Sequence, residues 1–296
     1  MKPIPQARQE AIPSLNPAPA NHQQTCSEVK VFLVGAGPGD AELLTLRAAR
    51  LLQCADVIVY DHLVSDDVLN YAAPHAQRIY VGKQTNCHTL PQQQINQLLV
   101  DLAKQYQNHP PHDDACKHKL TIAGAHQVIV RLKGGDPFIF GRGGEEVEAL
   151  AEQGIAFEVV PGITAASGVA SYAGIPLTHR DFAQSCVFTT GHLKDGSLNL
   201  DWDALSRPHQ TVVIYMGLQA LPEITRQFLL HGAPENTPVA LVEQGTSAQQ
   251  RVLCGTLTTI TDLCRALGLK SPSLIIIGQV VTLHRKLQWF HNQQAQ

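Results

Sequence analysis

The chain has 296 residues, 44% hydrophobic and 16% charged, with a formal net charge of −3. That length can bury one or two substantial cores. The charge excludes a protein that grips nucleic acid or a membrane surface through bulk electrostatics, so an anionic ligand needs a local basic cluster. No apolar run reaches membrane-spanning length, and the N-terminus lacks an apolar signal segment.

Residues 1–28 are rich in Pro, Gln, Asn and Ala and are expected to form a disordered leader. Val31–Val34 then reads as a buried strand. Gly35-Ala36-Gly37-Pro38-Gly39-Asp40 follows it, and a helix is predicted over 41–53, with Leu44, Ala48 and Leu51 on one face and Asp40 as N-cap. The loop fails as a dinucleotide fingerprint. Asp40 stands where the third glycine belongs, and Pro38 removes a backbone donor. Strands are predicted at Val57–Tyr60 and Ile79–Val81, and a helix over 91–104 with Ile95, Leu98, Leu99 and Leu102 on one face. Residues 106–125 interrupt this rhythm. They include His109, His112, Cys116 and His118, but the spacing matches no closed zinc site, so a mobile polar insertion and no metal are expected.

The strand Val128–Leu132 leads into Gly134-Gly135-Asp136-Pro137-Phe138-Ile139-Phe140-Gly141-Arg142-Gly143-Gly144, then a helix over 144–153. A strand, a glycine-rich loop and a helix start form the usual ligand position of α/β proteins. Glycine lets backbone approach a ligand, Asp136 adds an acceptor, and Lys133 and Arg142 bracket the loop with positive charge. Phe157–Val160 is a further strand, and Pro161–Gly168 opens a helix of small residues. Strands at Cys186–Thr190, Thr211–Met216, Val239–Glu243, Arg251–Gly255 and Leu274–Val280 predict a second, mixed sheet. The fold class is α/β, as two α/β domains, 29–165 and 166–291, with a cleft between them. The seven cysteines (Cys26, Cys54, Cys87, Cys116, Cys186, Cys254 and Cys264) form no C-x-x-C pair and read as reduced thiols of a cytoplasmic protein.

Several separated motifs together resemble the tetrapyrrole methylase family, and within it the uroporphyrinogen-III C-methyltransferases. They are Val34–Asp40, Tyr60-Asp61, Val81-Gly82-Lys83, Arg131–Phe138, Val160–Ala165, Gly174–Arg180, Thr190-Gly191-His192 and Tyr215-Met216-Gly217. The resemblance covers roughly residues 29–291. It implies a deep cleft between two α/β domains, usually in a homodimer. It also implies methyl transfer from S-adenosylmethionine to carbons 2 and 7 of uroporphyrinogen III, giving precorrin-2 through precorrin-1. A sister methylase acting on a later corrinoid is the alternative. The leader is too short for the dehydrogenase–chelatase domain that some members carry in front, so a standalone form is expected.

By resemblance, cofactor contacts fall on Pro38, Gly134, Gly135, Asp136, Ile139, Thr164, Ala165, Met216 and Gly245. Asp136 alone also reads as a turn former, and Met216 alone as core. Asp61 and Lys83 each end a strand that should reach the cleft, and the family proposal makes them proton acceptor and donor. A structural ion pair fits the residues equally well. The substrate's carboxylates point to Arg131, Lys133, Arg142, Arg180, His192 and Lys194, with Arg142 foremost because a guanidinium grips a carboxylate bidentately. Neither a metal nor nucleic acid nor a membrane is expected as a partner.

Overall fold

The computed structural model describes residues 27–82, 90–107, 123–191 and 198–290. Its first sheet is parallel, in the order β3-β2-β4-β1-β5. The strands are β1 (Ser27–Gly35), β2 (Val57–Tyr60), β3 (Gln77–Tyr80), β4 (Ala125–Lys133) and β5 (Phe157–Val160). Helices cover both faces, which is why the inner strands β1, β2 and β4 carry long apolar runs. Phe32, Val34, Ile58, Val130 and Leu132 pack on α1 (Leu46–Cys54) through Ala48, Leu51 and Leu52. Leu33, Val59 and Ile129 pack on Leu99 and Leu102 of α3 (Gln92–Gln107) and Leu150 of α4 (Gly143–Glu152). Arg131 and Lys133 alternate with Val130 and Leu132, so they extend the Ile129 face toward the end of β4.

The second sheet runs β6-β7-β10-β8-β9. Its strands are β6 (Ser185–Thr190), β7 (Gln210–Tyr215), β8 (Pro238–Glu243), β9 (Arg251–Thr256) and β10 (Ser273–Ile277). Only β6 and β7 are parallel to each other, and the 239–255 hairpin is antiparallel as its spacing predicts. One face packs on Ile224 and Phe228. The other packs on α5 (Ala165–Tyr172), whose Ala166, Val169 and Ala170 are buried against Val213, Ala240 and Ile276. Small residues let α5 lie close to the sheet. Truncating Ile276 to Ala in such a core costs about 2–5 kcal/mol.

Four local expectations need correction. β1 begins at Ser27, whose backbone pairs with Ala125, so it starts inside the expected leader. The helix expected over 41–53 is a 3₁₀ turn, Ala41–Leu43, followed by α1. Asp40 accepts the Glu42 N–H and caps the turn, while Thr45 accepts the Ala48 N–H and caps α1. A short helix α2, Asp66–Leu69, capped by Ser65, was not foreseen. β10 stops at Ile277, because Gly278 at φ 140° turns the chain into a 3₁₀ segment, Gln279–Leu283. At the edges of the 106–125 segment, α3 runs through Gln107 and β4 starts at Ala125, while residues 108–122 lie outside the described residues.

Candidate active site

The loops that leave β1, β4 and β5 at their C-terminal ends meet in one place, where open parallel sheets bind ligands. Gly37 and Gly135 exchange backbone hydrogen bonds at 3.2 and 2.7 Å. A Cβ on Gly35 would meet the Gly162 Cα at 2.5 Å, so the glycines let these loops interlock. Asp136 braces the junction. Its Oδ1 accepts the Phe138 N–H and its Oδ2 the Gly162 N–H, both at 2.9 Å. The turn-forming reading of Asp136 is therefore realised, and each carboxylate oxygen keeps further acceptor capacity.

The second half of the chain completes the floor. The Tyr215 hydroxyl lies 2.6 Å from Thr164 Oγ1 and accepts the Ala166 N–H at 2.8 Å. Burial pushes its pKa up. Pro38 rests on Gly168, where a Cβ would come within 2.5 Å of its Cγ, and Gly245 rests on Val169 in the same way. Asp40 ties the halves together: its N–H donates to Thr246 Oγ1 at 3.1 Å and its Oδ2 accepts from the Tyr172 hydroxyl at 2.7 Å. Burial, then the bond to Asp40, pushes the Tyr172 pKa up to about 12.

Backbone strain marks the same place. Among the described residues, six non-glycines have positive φ: Phe140, Arg142, His209, Met216, Gln244 and Thr246. All except His209 belong to the glycine-rich loop, to Met216, or to the two residues flanking Gly245. Such conformations cost about 1–3 kcal/mol each and cluster at functional sites. The wall is apolar yet open. Leu63, Phe138, Ile139, Phe140 and Met216 are exposed, with Phe138 and Met216 each at 54%. An exposed apolar wall beside backbone donors suits a cofactor with apolar and polar parts and a large flat substrate.

Asp61 ends β2 at the rim of this floor. Leu63 packs where a Cβ on Gly134 would sit, and Ser65 Oγ donates to the Gly39 carbonyl at 2.9 Å. Asp61 Oδ1 accepts the Leu63 N–H at 3.1 Å, and its Oδ2 accepts from Arg131 Nη2 at 3.2 Å. Arg131 Nε and Lys133 Nζ both donate to Glu146 Oε1, at 3.2 and 2.9 Å. Arg131 and Lys133 are only 3% and 4% exposed. The expectation that they bind substrate carboxylates is corrected: their charges are committed inside the protein. Burial, and then the neighbouring Arg131, lower the Lys133 pKa, while Glu146 and Asp61 oppose that shift.

Arg142 stands at the entry of α4 and is exposed. Its Nε and Nη2 donate to Glu145 Oε1 and Oε2, each at 2.7 Å. Arg180 is exposed next to the His179–Ala183 bridge. Lys83, His192, Lys194 and the His109–His118 set lie outside the described residues. Among the described residues no group of three His, Cys, Asp or Glu side chains could hold a metal ion, and no helix is long and apolar enough to cross a membrane. Motifs alone missed Glu146, Tyr172 and Thr246. Glu146 had a faint signal, a second acid in a helix start beside two strand cations.

Residues 30–261 match the family model of the Tetrapyrrole (Corrin/Porphyrin) Methylases. A siroheme synthase of Methylobacillus flagellatus is 62% identical over 261 residues, 88% of this chain and 52% of that protein. One of Nitrosospira multiformis is 58% identical, over 88% of this chain and 51% of that protein. The chain thus spans about half the length of the curated relatives it matches. The uroporphyrin-III C-methyltransferase of Thermus thermophilus, solved with S-adenosyl homocysteine, is 36% identical at a TM-score of 0.67, covering 85% of this chain and 93% of that one. With a family model over most of its length, the chain belongs to the tetrapyrrole methylase family.

Proposed function

We propose that this chain transfers methyl groups from S-adenosylmethionine to carbons 2 and 7 of uroporphyrinogen III, giving precorrin-2 by way of precorrin-1. The observation that carries this reading is the convergence of Pro38, Gly134–Asp136, Thr164–Ala165, Met216 and Gly245 on one floor beside the Asp61 carboxylate. The Thermus relative with S-adenosyl homocysteine bound supports the cofactor assignment.

When bound, S-adenosylmethionine would supply an activated methyl for in-line displacement by an electron-rich pyrrole carbon, a reaction that gains most from positioning. The residues present fit that cofactor. The Gly134–Gly135 and Thr164–Ala165 backbone would meet its polar groups, and Ile139 and Met216 would line its apolar side. Asp61 would accept the proton released at the methylated ring, and Lys83 would return one. Arg142, Arg180, His192 and Lys194 would hold the substrate's carboxylates, now without Arg131 and Lys133. We further propose a cytoplasmic homodimer, which sedimentation would check. The described cysteines Cys54, Cys186, Cys254 and Cys264 are all free, which fits a reducing compartment.

Incubation with labelled S-adenosylmethionine and, separately, uroporphyrinogen III or later corrinoids tests the proposal. Two methyl groups per uroporphyrinogen III are expected. Label on a later corrinoid alone would overturn the substrate assignment.

A further inference from the structure

Four charged side chains lie behind the rim of the cleft: Asp61, Arg131, Lys133 and Glu146. Only Asp61 reaches solvent, with 20% of its side chain exposed against 3% for Arg131, 5% for Lys133 and 0% for Glu146. The set is electrically balanced, with two cations and two carboxylates. Arg131 makes four hydrogen bonds at once, to Glu146 Oε1, Asp61 Oδ2 and the carbonyls of Val59 and Leu132. Its fork therefore cannot turn without breaking several bonds, and a lysine could not replace that geometry. Glu146 Oε1 accepts from Arg131, Lys133 and Gln92, while its buried Oε2 has no hydrogen-bond partner among the described residues.

Stability alone does not explain this arrangement. Apolar residues of similar volume usually serve a buried site as well as or better than an ion network. The same face of the sheet uses them at Val57, Val59 and Ile129. What apolar residues could not provide is a charge held in one orientation at the cleft. We propose that Glu146 and Arg131 are positioning residues for the reaction: Glu146 fixes the Arg131 guanidinium, and Arg131 holds the Asp61 carboxylate in place. Lys133 donates to the same Glu146 oxygen and brings the set of two carboxylates to two cations. The inference rests on the reading of Asp61 as the proton acceptor.

The test is steady-state methylation of uroporphyrinogen III by the full chain carrying Glu146→Gln, Arg131→Lys, Arg131→Met or Asp61→Asn, with S-adenosylhomocysteine affinity and Tm measured alongside. Glu146→Gln and Arg131→Lys should lower kcat by about ten- to a hundred-fold, the effect of misplacing a reacting group by an ångström or less. KM and S-adenosylhomocysteine affinity should stay within about threefold. Arg131→Met should lower kcat further than Arg131→Lys, because it removes the guanidinium fork and its charge together, with KM and S-adenosylhomocysteine affinity again within about threefold. If Arg131→Met does not fold, the kcat of Arg131→Lys decides. Near-normal kcat in Glu146→Gln and Arg131→Lys, with Asp61→Asn slow, would overturn the proposal. So would parallel losses of kcat, cofactor affinity and Tm, which a mere prop would give. A full rate in Asp61→Asn would remove the proton acceptor itself, and that variant separates the two failures.

Discussion

Arg131 and Arg142 lie on one strand–loop–helix segment and pair with adjacent glutamates, Glu146 and Glu145, yet the two pairs differ in nearly every physical respect. The first is buried and linked to Lys133 and Asp61. The second is a bidentate i,i+3 pair with side chains 57% and 48% exposed. A buried pair is held by the cost of leaving any member uncompensated, so it suits fixing a geometry. An exposed pair is screened and exchanges partners at little cost, so it suits capturing a carboxylate that arrives from solution. The pairing energy alone says little about role. Access to water decides which arginine can meet a ligand.

The largest expected effect lies where the buried network reaches the cleft. Asp61→Asn should slow methylation by about 100–10,000-fold, the usual contribution of a general acid–base group, with S-adenosylhomocysteine binding retained. Calorimetry and a single-turnover assay check both halves of that statement. Next comes the network's stability. Glu146→Ala leaves two buried cations against one carboxylate and should cost about 3–5 kcal/mol in denaturant unfolding, whereas Glu145→Ala should cost under about 1 kcal/mol. Equal costs would erase the contrast between the pairs.

Arg142→Ala should weaken uroporphyrinogen binding toward the lower end of about 1.5–3 kcal/mol, because the guanidinium must first release Glu145. Cofactor affinity should barely change, and a titration with each ligand reads the difference. The smallest effect belongs to an intermediate pair. Glu158 joins Lys30 at 2.9 Å and Arg47 at 2.7 Å and is one-third exposed. Burial raises its pKa, but the bonds from Lys30 and Arg47 outweigh that and hold it below the usual carboxylate range. A depressed folded pKa means the stabilisation is present above the unfolded value, about 4.3, and is lost as pH falls through the folded one. Glu158→Gln should therefore cost under about 1 kcal/mol near neutrality, with the difference in Tm vanishing under acid conditions.

Much of the fold was legible because strand burial on both faces leaves uninterrupted apolar runs. Val57–Tyr60 and Phe157–Val160 match their strands residue for residue. The break at Leu44–Thr45 was less legible, since the apolar period runs through it. Asp40 is drawn away from the helix by bonds to Tyr172 and Thr246, which are remote in sequence. The loop around Gly135 could be picked out as a ligand position, but not its mutual backbone contact with the loops of Gly35 and Gly162, which is why all three positions are glycine.

By itself the sequence determined the α/β class, the order of the elements and the family, because apolar periodicity and ordered motifs are local signals read along the chain. Only the tertiary structure decided which charged residues face the cleft. Arg131 and Arg142 are the same residue type beside the same loop, and both looked fit for a carboxylate. Strand alternation turned Arg131 inward under α4, where Glu146 awaits it, while the left-handed turn at Arg142 left its side chain in solvent. Burial depends on what packs above a residue, and residues distant along the chain supply that cover.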